Sequence, residues 1–183
     1  MGIKVIEIGL GVKIIEPDKF TDYRGYYSEI FSERSLLENG IFFKAVQDNE
    51  AFSFKKGTVR GIHFQNEPKA QSKMLRCLKG KILDVAVDLR KNSPSFKKFI
   101  MVELEEGDGK FIYIPKGFGH CCISLMDDTI INYKVDELYD KSLDRAIRFD
   151  DPEIGITWPS IEFIVSEKDK LSPLLKDSDV NYW

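Results

Sequence analysis

Histidine and cysteine are scarce in this chain, and the scarcity narrows its chemistry. It holds two histidines, His63 and His120, and three cysteines, Cys77, Cys121 and Cys122. Borderline metals favour several imidazole or thiolate ligands in a closed shell. Neither the cysteine spacing nor two histidines far apart in sequence supplies that pattern. An odd number of cysteines, two of them adjacent, is also a poor disulfide framework and fits a reducing compartment. Excess basic charge is missing too. Thirty acidic residues against 27 Lys plus Arg leave a formal charge of −3, so bulk electrostatics point to neither a nucleic-acid nor a membrane partner. Any anionic ligand must be met by local Lys and Arg.

Long apolar runs are absent as well. The opening MGIKVIEIGLGVKIIEP is interrupted by Lys4, Glu7 and Lys13 and lacks the apolar core and cleavage site of a signal peptide. Ile6 stands where myristoylation would need Ser or Thr, and no segment approaches a membrane span. The expectation is a soluble, cytoplasmic protein. Gly9-Leu10-Gly11 lacks the third glycine of a dinucleotide fingerprint. A P-loop and a G-x-S-x-G elbow are also missing. Cys121-Cys122 follows His120, but adjacency in sequence does not make a Cys-His dyad, and buried packing is expected for both. With no repeat, low-complexity segment or linker, residues 1–183 read as one domain.

What the chain does have is short alternating segments. From Lys81 to Leu89, Leu83, Val85, Val87 and Leu89 fall on one strand face, and Ile82, Asp84, Ala86 and Asp88 on the other. Phe99 to Leu104, Lys110 to Ile114 and Thr129 to Val135 read the same way. Gly80, Glu106-Gly107-Asp108-Gly109 and Met126-Asp127-Asp128 lie between them as turn signals. The pattern predicts consecutive antiparallel strands in a sandwich or barrel. Ser32 caps a short helix through Leu36 and Leu37 that ends at Gly40, and Ser166 to Leu171 forms another, broken before Pro173. Lys176 to Trp183 reads as a tail.

His63 sits in Arg60-Gly61-Ile62-His63-Phe64-Gln65, a strand whose glycine suits a bulge or close approach. Alone, a histidine there reads as a hydrogen-bonded structural residue. More pieces accompany it. They are Asp22-Tyr23-Arg24-Gly25-Tyr26 with Glu29, Val46-Gln47-Asp48-Asn49, Ala70-Gln71-Ser72-Lys73 and Asp84-Val85-Ala86-Val87-Asp88-Leu89-Arg90. Ile114-Pro115-Lys116-Gly117-Phe118-Gly119-His120, Asn132-Tyr133-Lys134, Asp150-Asp151-Pro152, Gly155-Ile156-Thr157-Trp158-Pro159 and Ser166-Glu167-Lys168-Asp169 follow. In this order and spacing, from about Gly11 to Leu175, the chain resembles the dTDP-4-dehydrorhamnose 3,5-epimerase family. It departs from the family pattern at Cys121-Cys122, where Gly-Phe is usual, and at Ser72, where Gly is usual.

The resemblance implies a mainly β, cupin-type jelly roll with a few short helices. Its core would run roughly over 11–165, with a C-terminal helical segment and tail over 166–183. It also implies a homodimer, no metal or organic cofactor, and a nucleotide-sugar substrate. The implied reaction is epimerisation at C3 and C5 of a nucleotide-linked 4-keto-6-deoxy sugar, dTDP-4-dehydro-6-deoxy-D-glucose giving dTDP-4-dehydro-L-rhamnose. The alternative is a C3-only or C5-only epimerase, or a ketoisomerase, acting on another nucleotide 4-keto sugar such as a GDP-heptose. A C4 ketone acidifies the hydrogens on C3 and C5, so such an enzyme needs a base, an enolate stabiliser and an acid on the opposite ring face.

By the family pattern His63 is the base, with Asp169 as its carboxylate partner. Lys73 stabilises the enolate and Tyr133 is the acid. By the residues alone, Ser166-x-x-Asp169 is equally a capping box, Asp84 is a rival partner for His63, and Tyr133 reads as core beside Ile131 and Val135. Arg24, Arg60 and Lys168 match positions that bind the diphosphate, with His120 nearby. Glu29, Gln47, Asp48 and Asn49 supply polar contacts, Tyr139 a stacking surface, and Asp144 stands where the family commonly has Glu.

Overall fold

Residues 2–183 are described by a computed structural model; Met1 lies outside the described residues. The strands are, in chain order, β1 (Ile3–Gly9), β2 (Val12–Pro17), β3 (Phe20–Asp22), β4 (Gly25–Tyr27), β5 (Gln47–Ser53), β6 (Thr58–Gln65) and β7 (Lys73–Lys79). They continue as β8 (Lys81–Asp88), β9 (Phe99–Glu105), β10 (Phe111–Ile114), β11 (Phe118–Ser124), β12 (Thr129–Val135), β13 (Asp144–Ala146) and β14 (Ile164–Val165). Two short helices, α1 (Glu33–Glu38) and α2 (Glu167–Lys170), and a 3-10 turn at Leu175–Asp177 complete the chain. None of these helices is long and apolar enough to cross a membrane.

The strands form two large sheets and a small hairpin. One sheet runs β1-β2-β10-β7-β12-β5, and the other runs β13-β6-β11-β8-β9 with β14 added to β6. The β3–β4 hairpin stands apart. Pairing within the large sheets is antiparallel except for β14, which joins β6 in parallel. The alternating segments are strands, as their period predicts, but they are not all neighbours in chain order. Only β8 and β9 of that series pair directly. Gly80 joins β7 of one sheet to β8 of the other, and 106–110 and 125–128 make the same passage. The turn signals are therefore corners between sheets rather than hairpin loops. Gly80 has φ 78°, and a Cβ there would lie 2.7 Å from Thr129 Oγ1, so the corner is closed by a residue without a side chain. Two antiparallel sheets exchanging strands in this way form a jelly roll.

Alternation explains the packing. Ile82 and Ala86 of β8 meet Leu75, Cys77, Ile112 and Ile131 of the facing sheet in the interior. Val85, Val87 and Leu89 point outward, yet they are buried under Ile154, Leu175, Val180 and Tyr182. On the outer face of the other sheet, Ile15, Met74 and Phe111 are covered by Leu36, Ile41 and Phe43. Ser32 caps α1 as expected, its Oγ accepting from Ser35 N at 3.3 Å. Gly40 follows at φ 75°.

The segment read as a tail is packed. Val180 and Tyr182 are buried, the Tyr182 hydroxyl donates to the Gln65 carbonyl, and Lys91 N donates to the Tyr182 carbonyl at 3.0 Å. Burying an aromatic or β-branched side chain contributes roughly 1.5–3 kcal/mol. In a stretch this short the period is too brief to read, and the apolar surface that receives these residues comes from β6 and β8, far away in sequence.

Candidate active site

The cleft lies between the sheets and has a volume of about 210 Å³. It is lined by Ala51, Arg60, His63, Lys73, His120, Cys122, Ile131 and Tyr133. His63, Arg60, His120 and Cys122 come from β6 and β11 of one sheet; Lys73, Ile131, Tyr133 and Ala51 come from β7, β12 and β5 of the other. A glycine sets the approach of the first pair. Gly61 has φ 130°, and a Cβ there would fall 2.4 Å from the His120 carbonyl oxygen and 2.7 Å from Cys121 Cα. The register between β6 and β11 shifts at this point, between His120 and Cys122. The bulge brings the two histidines opposite one another as register partners.

Each imidazole holds its own carboxylate. His63 Nε2 lies 2.7 Å from Asp169 Oδ1. Asp169 sits on α2, where its backbone N–H donates to the capping Ser166 Oγ at 3.1 Å. The capping and dyad readings of Asp169 therefore both hold, one through its backbone and one through its side chain. Burial alone would raise the Asp169 pKa, but the His63 hydrogen bond, its charge and Ser166 lower it overall. Asp84, the rival partner, is bound elsewhere: His120 Nε2 lies 2.8 Å from its Oδ2. Among the described residues no three metal-ligating side chains gather into a cluster.

On the opposite wall, Lys73 Nζ stands 5.9 Å from the Tyr133 ring centroid. Burial lowers the Lys73 pKa, and the charges of Asp144, Asp84 and Cys122 oppose that shift. Burial raises the Tyr133 pKa, so its phenol stays protonated. The adjacent cysteines part company across β11. Cys121 joins the outer core and Cys122 lines the cleft. Burial, with Asp84 nearby, pushes the Cys122 thiol up to about 12, leaving a small neutral wall. All three cysteines are free and buried.

A polar rim continues from the cleft. Gln47 Nε2 donates to Asn49 Oδ1 at 2.7 Å, and its Oε1 accepts from Tyr139 N at 3.1 Å. Asn49 Nδ2 reaches the Tyr133 carbonyl at 3.4 Å. Asp144 Oδ2 accepts from Lys168 Nζ at 2.8 Å and from the Tyr139 hydroxyl at 3.3 Å. Within the cleft, the Arg60 guanidinium donates to the Phe52 carbonyl at 2.7 Å.

Three residues singled out from the sequence belong neither to the cleft nor to this polar rim. Asp48 lies on the exposed face of β5, held by Lys134 and by Asn132 Nδ2 at 2.8 Å. Arg24 is at the tip of the β3–β4 hairpin, ion-paired with Asp22 at 2.6 Å. Glu29 follows the same hairpin. Sequence reasoning passed over Ala51, Cys122 and Ile131 as cleft walls. Ile131 was legible as the same-face neighbour of Tyr133. Ala51 would have followed from reading the Gln47-Asn49-Ala51 alternation as a strand.

A jelly roll with an imidazole–carboxylate pair on one wall and an amine beside a protonated phenol on the other is equipped for proton transfer at carbon, and it defines a cupin-type isomerase. A family model described as dTDP-4-dehydrorhamnose 3,5-epimerase matches residues 8–177. The chain belongs to this family. The dTDP-4-dehydrorhamnose 3,5-epimerase of Sinorhizobium fredii is 45% identical over 172 residues, 93% of this chain and 88% of that protein. The crystal structure of the Bacillus anthracis dTDP-4-dehydrorhamnose 3,5-epimerase, with TDP and PPi bound, is similar at TM-score 0.91 and 41% identity. That match covers 94% of this chain and 99% of the other. The Legionella pneumophila dTDP-6-deoxy-D-glucose-3,5-epimerase, in complex with dTDP-4-keto-L-rhamnose, gives TM-score 0.92 at 33% identity over 99% of this chain and 98% of that one.

Proposed function

We propose that this protein epimerises C3 and C5 of dTDP-4-dehydro-6-deoxy-D-glucose to give dTDP-4-dehydro-L-rhamnose. The observation that carries the reading is the placement of base and acid on facing walls: His63 with Asp169 on one sheet and α2, Tyr133 on the other sheet. His63, with Nε2 engaged by Asp169, takes the proton from C3 or C5. The electron pair delocalises onto O4, where Lys73 supplies positive charge. Tyr133 then delivers a proton to the opposite ring face, which inverts the centre; return from the same face would only regenerate substrate. Asp169 holds the imidazole and balances its charge once protonated, as a carboxylate does for histidine in other proton-transfer sites.

Arg60 and Lys168 supply positive charge to the diphosphate. Gln47, Asn49 and Asp144 contribute polar contacts, and Tyr139 a face for the base. The reading includes a homodimer. It is supported by the aromatic hairpin, where Phe20, Tyr23, Tyr26 and Tyr27 are all exposed, and sizing chromatography tests it. It also places the protein in the cytoplasm, a reading supported by the three free thiols.

Incubation with dTDP-4-keto-6-deoxyglucose in D₂O, followed by NMR, tests the reaction. Deuterium is expected at both C3 and C5 with inversion. Entry at neither carbon would overturn the assignment, and entry at one would make this a single-centre epimerase.

A further inference from the structure

Asp84 lies in the middle of β8, wholly buried, as the register partner of the cleft residue Cys122. One of its oxygens meets His120 Nε2 at 2.8 Å. The other, Oδ1, is buried and has no hydrogen-bond partner among the described residues. Buried carboxylates normally use most of their acceptor capacity, and leaving part of it idle is costly.

We propose that Asp84 is a positioning residue for the reaction, fixing His120 through Nε2 so that Nδ1 is the nitrogen presented to substrate. Asp84 thereby acts on the substrate through His120, a side chain of the cleft wall and the register partner of His63. The inference rests on the epimerase reading for the identity of the substrate. The Asp84–His120 arrangement itself does not depend on it.

Two measurements test this. The chain has only two histidines, so imidazole ¹⁵N NMR of the wild-type protein gives two spin systems, separable with a His63→Asn variant. The expected result is a proton on Nε2 of His120; a neutral ring protonated only at Nδ1 overturns the proposal. Asp84→Asn is expected to lower kcat about tenfold or more, as loss of a histidine-orienting carboxylate does elsewhere. KM and the affinity for dTDP should stay within about threefold, because uniform binding is untouched. Combined with His120→Gln, it should add much less than its own effect. An unchanged kcat in Asp84→Asn, or full additivity in the double variant, overturns the proposal. If Asp84→Asn does not fold, the wild-type ¹⁵N spectrum decides. If the wild-type protein leaves the sugar unchanged, the epimerase reading fails while the His120 protonation site still decides for or against Asp84.

Discussion

His63 and His120 face each other across β6 and β11 as register partners, and each gives its Nε2 to a different carboxylate, Asp169 at 2.7 Å and Asp84 at 2.8 Å. The two pairs differ in setting. The His63 side chain is 33% exposed, against 10% for His120. The more open ring is the one that can meet a substrate C–H, and the more buried one is suited to holding a fixed hydrogen-bonding direction.

In the proposed mechanism His63→Ala removes the base, and kcat is expected to fall by about 10²–10⁴. Asp169→Asn keeps the ring but loses the charge that orients it, so a fall of at least about tenfold is expected. Neither change should move dTDP affinity by more than about threefold, since neither removes a phosphate contact. Steady-state kinetics with calorimetric titration of dTDP separates the two effects.

In the same proposed mechanism, Tyr133→Phe leaves the base in place and removes the acid on the opposite wall. Deuterium exchange at carbon should continue, while inversion falls by about 10². NMR in D₂O reads both at once: label entering with retained configuration is the expected signature. Loss of exchange together with inversion would show that Tyr133 serves the deprotonation step.

Asp88 provides a pH-dependent contribution to stability. Burial alone would raise its pKa, but hydrogen bonds from Arg90, Ser95 and Ser93 bring it from the ordinary 3.8 down to about 2. A carboxylate depressed on folding stabilises the protein above its unfolded pKa, and that contribution fades as pH falls toward the folded value. Asp88→Asn should therefore lose on the order of 2 kcal/mol at pH 7. Urea unfolding should show the gap from wild type narrowing below about pH 4.

Tyr182→Ala tests whether the C-terminal segment belongs to the core. The ring packs edge-on against Phe64 at 6.0 Å between centroids and is 4% exposed. Removing a buried aromatic side chain costs about 3 kcal/mol or more, and a lowered urea midpoint with unchanged slope is the expected result. A solvated tail would give no change.

Much of the candidate site is legible in the sequence. His63, Lys73, Tyr133 and Asp169 lie in motifs whose order and spacing carry the family resemblance, and the strand period put Tyr133 on one face with Ile131. The pairing of carboxylates with histidines was not legible. Asp84 and Asp169 are both distant from His63 in the chain, and either satisfies the chemistry. The choice depended on β8 lying beside β11 and on α2 closing over β6. The C-terminal segment reads as a tail in sequence for the same kind of reason, because its apolar partners lie on remote strands.

The sequence by itself determined which residue types were present and how each short segment alternates, since side-chain period is a local property of the backbone. It also determined the capped starts of α1 and α2 and the glycine at position 61. Only the tertiary structure decided that the turns are corners between sheets, that Cys121 and Cys122 face different layers, and that His63 holds Asp169 while His120 holds Asp84. Those outcomes depend on which strands become neighbours, and neighbours in a jelly roll are chosen by burial of two sheet faces at once rather than by proximity along the chain.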